Sequence, residues 1–254
     1  MHLEFDLCLA SGGAKGLVHI GAIKQLEKAG AKINNISGTS IGALIGGLYA
    51  YTKDIKAIEK VALEITKVSW YWTALKDFKG FGQGVLTGNH VMRLFEHIVP
   101  AGAKIEDCKI PFKCVAADLI TGKRLVFSSG NLLFAIRASI SLPITFEPVH
   151  LWEHVLVDGT CLDPAPVNVF FHRAPLLMVA TCRSNGLYNT NIKNKAGILH
   201  TYMLNSTNAL IRKSAEKTDA TLWPEVDDID TLEFWKAKQA IKEGERLVRK
   251  FINN

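Results

Sequence analysis

The sequence has 254 residues, of which 48% are hydrophobic, so one large core can form. Its formal net charge of +6 is modest, and the lysines are spread along predicted helices, so we expect a solvated basic face and no nucleic-acid partner. No run of about eighteen uncharged apolar residues exists and the N-terminus has no basic leader, so neither a membrane span nor export is predicted.

The cysteines indicate a reducing compartment. There are five of them, an odd number without C-x-x-C spacing, which favours reduced thiols over a disulfide frame or a zinc site. We therefore expect a cytoplasmic protein with neither metal nor cofactor, folded as a single domain over residues 1–254.

A glycine-rich turn follows the first predicted strand, at residues 3–10. It reads Ser11-Gly12-Gly13-Ala14-Lys15-Gly16 and leads into a helix that ends at Gly30. Consecutive N–H groups in such a turn can bind an anion. The turn lacks both the G-x-G-x-x-G of a dinucleotide loop and the G-x-x-x-x-G-K-[ST] of a phosphate loop. An oxyanion-binding loop needs only convergent N–H donors beside a nucleophile, and this is the interpretation we favour.

The next predicted strand ends in a G-x-S-x-G pattern, Gly38-Thr39-Ser40-Ile41-Gly42, and a helix of small residues follows it. At a nucleophile elbow the flanking glycines let strand and helix approach closely, and the serine hydroxyl projects from the turn. The same pattern also suits a serine that only caps the helix. Ser40 is therefore a candidate nucleophile that needs a partner.

The middle of the chain alternates between clear and ambiguous signals. Residues 70–84 mix aromatic residues with glycine and lysine, which suits either a flap or membrane-facing rim over an apolar site, or packing onto the core. Helices are predicted at 85–99 and 132–139, and a hairpin at 112–127 whose turn Asp118 serves. The strand 155–158 ends in Asp158-Gly159, where the carboxylate is either a turn former or a catalytic base.

The C-terminal part is predicted to be mainly helical over residues 196–254, after a buried strand at 176–181. Its last helix carries an apolar stripe from residue 234 to 251 and is basic elsewhere. Such a stripe packs on its own domain or lies on a membrane. Peripheral membrane contact therefore stays open.

Four segments, in this order, resemble the patatin-like phospholipases, in particular small bacterial members. They are the block 11–16, the block 38–42, Ser139-Ile140-Ser141-Leu142-Pro143 with Phe146 and Pro148, and Asp158-Gly159. The resemblance covers residues 3–166. It implies an α/β fold, namely a three-layer α/β/α sandwich with a central, mostly parallel sheet. One departure is that the family has three consecutive glycines where this sequence begins with Ser11.

The resemblance implies a serine lipid acyl hydrolase with a two-residue catalytic centre. Ser40 would be the nucleophile and Asp158 its base, without a histidine, and the amides of Gly12 and Gly13 would form the oxyanion hole. The reaction would pass through an acyl-enzyme on a phospholipid or another lipid ester. Lys15 would either bind an anionic head group or pair with a surface acid. Neither the lipid class nor the oligomeric state can be read from the sequence.

Two alternatives remain. The first is an α/β-hydrolase-type esterase with a triad of Ser40, Asp158 and either His172 or His200, but a glycine-rich loop on the first strand does not match that fold. The second is a non-catalytic lipid-binding module on the same fold, against which the intact set of site residues argues.

Overall fold

The computed structural model describes residues 3–65, 84–171, 174–184 and 193–253. The strands in these ranges are β1 (Glu4–Leu9), β2 (Lys32–Thr39), β3 (Gly84–Leu86), β4 (Phe112–Asp118), β5 (Arg124–Phe127), β6 (Ile144–Phe146), β7 (Val149–Leu151), β8 (His154–Asp158), β9 (Leu176–Val179) and β10 (Ala220–Leu222). The α-helices are α1 (Val18–Lys28), α2 (Ile41–Thr52), α3 (Ile55–Glu64), α4 (Asn89–Arg93), α5 (Leu132–Ser139), α6 (Lys195–Ala215) and α7 (Ala237–Asn253).

The main sheet is mostly parallel, as predicted. Its order is β10-β9-β1-β2-β4-β8-β7, and the strands from β10 to β4 run parallel to one another. Strands β8 and β7 are antiparallel additions at one edge, and β5 forms the predicted hairpin with β4. Because parallel strands end at the same edge of a sheet, the loops that follow β1 and β2 emerge side by side.

Helices cover both faces of this sheet, which gives the three layers that were predicted. Along β1 the side chains alternate: Leu7 and Leu9 pack in the cluster that contains α1, α2, α3 and α7. Cys8 points to the opposite face, where it packs in a cluster with Ile211 of α6. The fold is therefore an α/β/α sandwich.

Helix α7 crosses α1 at very short range. A Cβ atom on Gly244 would lie 2.0 Å from the Val18 carbonyl oxygen, and one on Gly21 would lie 1.9 Å from the Ile241 carbonyl oxygen. Two glycines in register thus let the helix backbones touch. The apolar stripe of α7, including the buried Ile241 and Val248, faces this contact. Of the two interpretations of the stripe, packing on its own domain is confirmed.

One prediction about secondary structure was wrong. Residues 85–99 do not form one helix: residues Gly84–Leu86 pair with Ile144–Phe146, and the helix is limited to Asn89–Arg93. Gly88, at φ 75°, separates the two elements. The C-terminal part is mainly helical, as predicted, and also contains the short strand β10, which pairs with β9. The aromatic stretch 70–84 lies outside the described residues except for its last member.

None of the described helices is both long and apolar enough to span a bilayer.

Candidate active site

The G-x-S-x-G segment forms a strained elbow between β2 and α2. Ser40 has φ 57° and ψ −124°, a conformation that costs a residue with a side chain on the order of 1–3 kcal/mol. The two glycines are needed for space: a Cβ atom on Gly42 would lie 2.1 Å from the Leu9 carbonyl oxygen, and one on Gly38 would lie 2.5 Å from the Gly42 carbonyl carbon. The predicted reason for both glycines is confirmed.

Sheet register places Asp158 beside this elbow. Thr39 pairs with Val115 on one side of β4, and Asp158 pairs with Ala116 on the other side. Across that strand, the Ser40 hydroxyl donates a hydrogen bond of 2.6 Å to Oδ2 of Asp158. Two residues that are 118 positions apart in the sequence are thus in direct contact.

Asp158 is buried, with 2% of its surface exposed. Its second oxygen, Oδ1, accepts hydrogen bonds from the backbone N–H and the hydroxyl of Thr160, at 2.9 and 2.6 Å. Burial raises the pKa of Asp158 from 3.8 to about 6, although the hydrogen bonds from Ser40 and Thr160 act in the opposite direction. The carboxyl group is therefore a stronger base than an ordinary aspartate, and it is ionised above about pH 6.

The glycine-rich turn contains two N–H groups without a hydrogen-bond partner among the described residues, and both glycines line the same cavity as Ser40. Among the described residues, the amides of Gly12 and Gly13 donate no hydrogen bond, whereas the flanking amides do: that of Ser11 to the Pro164 carbonyl and that of Ala14 to the Thr231 carbonyl. Gly13 has φ 56°, which favours glycine. Ser11 does not have a positive φ, so the serine that replaces the family's first glycine fits the turn without strain.

Close packing holds this turn against the elbow. A Cβ atom on Gly16 would lie 2.1 Å from Cγ2 of Ile41, the residue that follows the candidate nucleophile. Below the turn, the fully buried His19 places Nε2 2.8 Å from the Ala10 carbonyl oxygen. Burial lowers the pKa of His19 to about 4, so this imidazole is neutral near pH 7 and acts as a structural support.

A mainly apolar cavity of about 370 Å³ contains the candidate site. Ser40, Asp158, Gly12 and Gly13 are among the residues that line it. The part between α1, α2, α3 and α4, here called the apolar limb, is lined by Ile20, Leu44, Leu48, Ile58, Ala62 and Val91, among others. Its shape and composition are typical of a site for a hydrophobic ligand with a few polar anchors.

Lys15 also lines this cavity, and its side chain is largely buried, with 8% of the residue exposed. Within the described parts of the chain it makes no ion pair with a carboxylate. Two roles were predicted for Lys15. For the second, pairing with a surface acid, no acidic partner is found among these residues.

Of the two histidines that were considered for a triad, the structure describes only His200, which does not contact Asp158. His172 lies outside the described residues. His200 is exposed, and its Nε2 lies 3.3 Å from the Thr231 hydroxyl. His154 contacts Asp118. As predicted, Asp118 shapes the β4–β5 turn.

Sequence reasoning missed two supporting residues. Ser139 accepts a hydrogen bond of 3.0 Å from the Ser40 amide, and its own hydroxyl donates to the Val115 carbonyl at 2.6 Å. Thr160 orients the second oxygen of Asp158. Ser139 lies in a segment that carried the family resemblance, and Thr160 follows Asp158-Gly159, so proximity to these motifs was the available signal.

Comparison with known proteins gives a consistent result. The family model for patatin-like phospholipases matches residues 7–171. An uncharacterized NTE family protein of Mycobacterium bovis is 37% identical over 161 residues, which are 63% of this chain and 44% of that protein. A patatin-like phospholipase domain-containing protein of Caenorhabditis elegans is 32% identical over 198 residues, which are 73% of this chain and 14% of that protein.

A lysophospholipase of Candida albicans is 34% identical over 163 residues, which are 64% of this chain and 12% of that protein. The chain thus spans less than half the length of these curated relatives. The crystal structure of VipD from Legionella pneumophila superimposes with a TM-score of 0.55 at 14% identity, over 99% of this chain and 67% of that one, so the two share a fold. On the family match, which covers well over half of the sequence, this chain belongs to the patatin-like phospholipase family.

Proposed function

We propose that this chain is a serine acyl hydrolase that cleaves carboxylic esters of lipids through the pair Ser40 and Asp158. The observation that carries the proposal is the hydrogen bond of 2.6 Å between the Ser40 hydroxyl and the buried Asp158 carboxylate. A nucleophile within hydrogen-bond reach of a base whose pKa is raised to about 6, in an apolar cavity, meets the usual criteria for an activated serine.

Acylation follows from this geometry. As Oγ of Ser40 attacks the ester carbonyl carbon, its proton passes to Oδ2 of Asp158 along the existing hydrogen bond. Negative charge then develops on the former carbonyl oxygen, and the N–H groups of Gly12 and Gly13 would bind it. One such donor contributes roughly 10²- to 10³-fold to the rate in other hydrolases.

Collapse of the tetrahedral intermediate completes the first half of the reaction. Asp158 returns the proton to the leaving alcohol oxygen, the carbon–oxygen bond breaks, and the acyl group stays on Ser40. In the second half, Asp158 takes a proton from water as the water oxygen attacks the acyl carbon. The bond between that carbon and Oγ of Ser40 then breaks, Asp158 returns the proton to Oγ, and the fatty acid leaves. Burial of Asp158 supports both transfers, because it brings the pKa of the base closer to neutral pH.

The cavity supports a lipid as the substrate. The apolar limb offers the acyl chain a dry environment, where each buried methylene contributes about 0.8 kcal/mol. Lys15 lines the same cavity and would attract the phosphate of an anionic or zwitterionic head group. We propose phospholipids and related lipid esters as the substrate class on this basis.

Fluorophosphonate labelling tests the identity of the nucleophile. The wild-type chain is expected to react with an alkyl fluorophosphonate at Ser40, and Ser40→Ala is expected not to react. Ser206→Ala, at an exposed serine of α6, is the matched control and should label like the wild type. Labelling of Ser40→Ala to the same extent would refute the assignment.

Histidine replacement separates the two-residue mechanism from a triad. His200→Ala and His172→Ala should each retain hydrolysis of a p-nitrophenyl ester, whereas Asp158→Asn should lose it. Both oxygens of Asp158 are already bonded, to Ser40 and to Thr160, which supports this expectation. Loss of hydrolysis in a folded His→Ala variant would establish a triad instead.

A further inference from the structure

Two buried polar side chains in the cavity have no hydrogen-bond partner among the described residues. Ser11 is fully buried and Asn208 has 3% of its surface exposed. The unpartnered atoms are the Ser11 hydroxyl oxygen and the Asn208 side-chain nitrogen, and both residues line the cavity. More than nine in ten buried polar groups in proteins have a partner, so two unpartnered groups in one cavity point to a ligand.

Both residues adjoin the catalytic groups. Ser11 directly precedes Gly12, and its backbone is fixed at both ends: its N–H donates to the Pro164 carbonyl, and its carbonyl accepts from the Thr181 hydroxyl. Asn208 lies one turn before the buried Ile211 on α6. This helix packs against the turn Gly159–Cys161, which follows Asp158. Ser11 thus lies beside the oxyanion donors, and Asn208 belongs to the helix beside the base.

Helix α6 and the segments near it are not among the elements that define the apolar limb, and they also line the cavity, in part with the apolar residues Leu199, Met203 and Leu204. The polar residues there, here called the polar wall, are Ser11, Thr181, His200, Thr207, Asn208 and Thr231. Apart from His200 they are hydroxyl and amide groups, which match neutral or anionic oxygens. In an ester bound at Ser40, the acyl chain and the leaving alcohol extend in different directions from the carbonyl carbon. If the acyl chain occupies the apolar limb, the polar wall is the part of the lining that remains for the leaving alcohol.

We propose that Ser11 and Asn208 position the leaving alcohol of the substrate by hydrogen bonds to an oxygen near the scissile ester. This inference rests on the proposed function and extends it to the choice of leaving group. Asn208 has two N–H donors and Ser11 has a hydroxyl that can donate or accept, so each can bond to an oxygen with free lone pairs. Such an oxygen is present in a glycerol hydroxyl or in a phosphodiester.

Three substrates with the same acyl chain test the proposal: a monoacylglycerol, a lysophosphatidylcholine and an ethyl ester. The ethyl ester has no oxygen beyond the ester itself. For Asn208→Leu and Ser11→Ala we expect kcat/KM to fall about 2- to 10-fold on one or both oxygen-rich substrates and to change less than 2-fold on the ethyl ester. Asn205→Leu, the same replacement at an exposed position of α6, should leave all three rates unchanged.

The pattern of losses identifies the oxygen. A loss on both oxygen-rich substrates supports recognition of a shared oxygen, a loss on lysophosphatidylcholine alone assigns the phosphodiester, and a loss on monoacylglycerol alone assigns a hydroxyl. Equal changes on all three substrates, or no change on any, would overturn the inference while leaving the proposed function intact. If the wild-type chain hydrolyses none of the three, the proposed function is wrong and the inference is wrong with it.

Thermal unfolding distinguishes a structural role of Asn208 from a role in binding the substrate. Asn208→Leu removes a buried polar atom that lacks a partner, so its unfolding temperature should equal or exceed that of the wild type. A lower unfolding temperature would show that Asn208 supports the fold rather than the substrate. Ser11→Ala, the smaller change, gives the same kinetic comparison if Asn208→Leu does not fold.

Discussion

Replacing Asp158 by asparagine should inactivate the protein and stabilise it at the same time. The pKa of this carboxyl is raised from 3.8 to about 6 by burial, so keeping it ionised near pH 7 costs the folded state about 3 kcal/mol. An amide has the same shape, accepts from Thr160 through its oxygen and carries no charge. Asp158→Asn should therefore gain up to about 3 kcal/mol, or on the order of 5–10 °C in Tm for a chain of this size.

The stability that Asp158→Asn gains over the wild type should increase with pH. Well below pH 3.8 the carboxyl is protonated in both the folded and the unfolded state, and the wild type bears no penalty. As the pH rises to about 6 the unfolded state loses this proton first, so the wild type loses stability relative to the variant. Above about pH 6 the difference is constant. Urea denaturation of both proteins at pH 4.5 and pH 7.5 measures this change.

Activity provides the second half of the test. Loss of the general base should lower kcat about 10²- to 10⁴-fold on a p-nitrophenyl ester. Asp54→Asn is the control, because Asp54 is an exposed helix cap and asparagine caps equally well. If Asp158→Asn were less stable than the wild type at pH 7.5, or if the difference in stability did not vary with pH, the assignment of Asp158 as a buried base would be refuted.

Three further predictions follow from the same structure. The pH profile of kcat/KM should rise through an apparent pKa near 6 to a plateau, because Asp158 must be ionised to accept a proton; a profile that falls over pH 5–7 contradicts this. Ala62→Phe should fill the apolar limb, and the preference for a C12 over a C4 acyl ester should fall about 4-fold for each methylene that no longer fits. Leu63→Phe, on the exposed side of α3, should keep the wild-type preference. Gly244→Ala should lower the free energy of unfolding, measured by urea denaturation, by about 1–3 kcal/mol, because its Cβ atom would lie 2.0 Å from the Val18 carbonyl oxygen. A Cβ atom on Gly102 would meet nothing within 4 Å, so Gly102→Ala is the control, and equal stability of the two variants would disprove this explanation.

The predictions that succeeded depend on local geometry. The Ser40 elbow was predictable because its two glycines are required by contacts with their immediate structural neighbours, which a short pattern encodes. Helix α5 was predicted with the correct bounds, since its apolar spacing is regular and Asn131 caps its start.

The features that the sequence did not reveal depend on partners distant in the sequence. Strand β10 has three residues and exists only because β9 pairs with it from more than forty positions away, so no periodicity marks it. Similarly, Val85 and Leu86 continue a helix-like pattern but are held by β6. Asn208 could not be found from the sequence because it follows the polar run 205–207, which is typical of a solvated helix face.

The contacts of the glycine-rich turn bear on the order in which the site matures during synthesis. The match to the family ends at residue 171, yet the amide of Ala14 bonds to the Thr231 carbonyl, and α7 packs on the turn Gly13–Leu17. These contacts join positions more than two hundred residues apart, and such contacts form late. A nascent chain that has exposed both Ser40 and Asp158 still lacks a fixed oxyanion turn. If the proposed mechanism is correct, hydrolytic activity is therefore expected only after α7 has left the ribosome and packed on this turn.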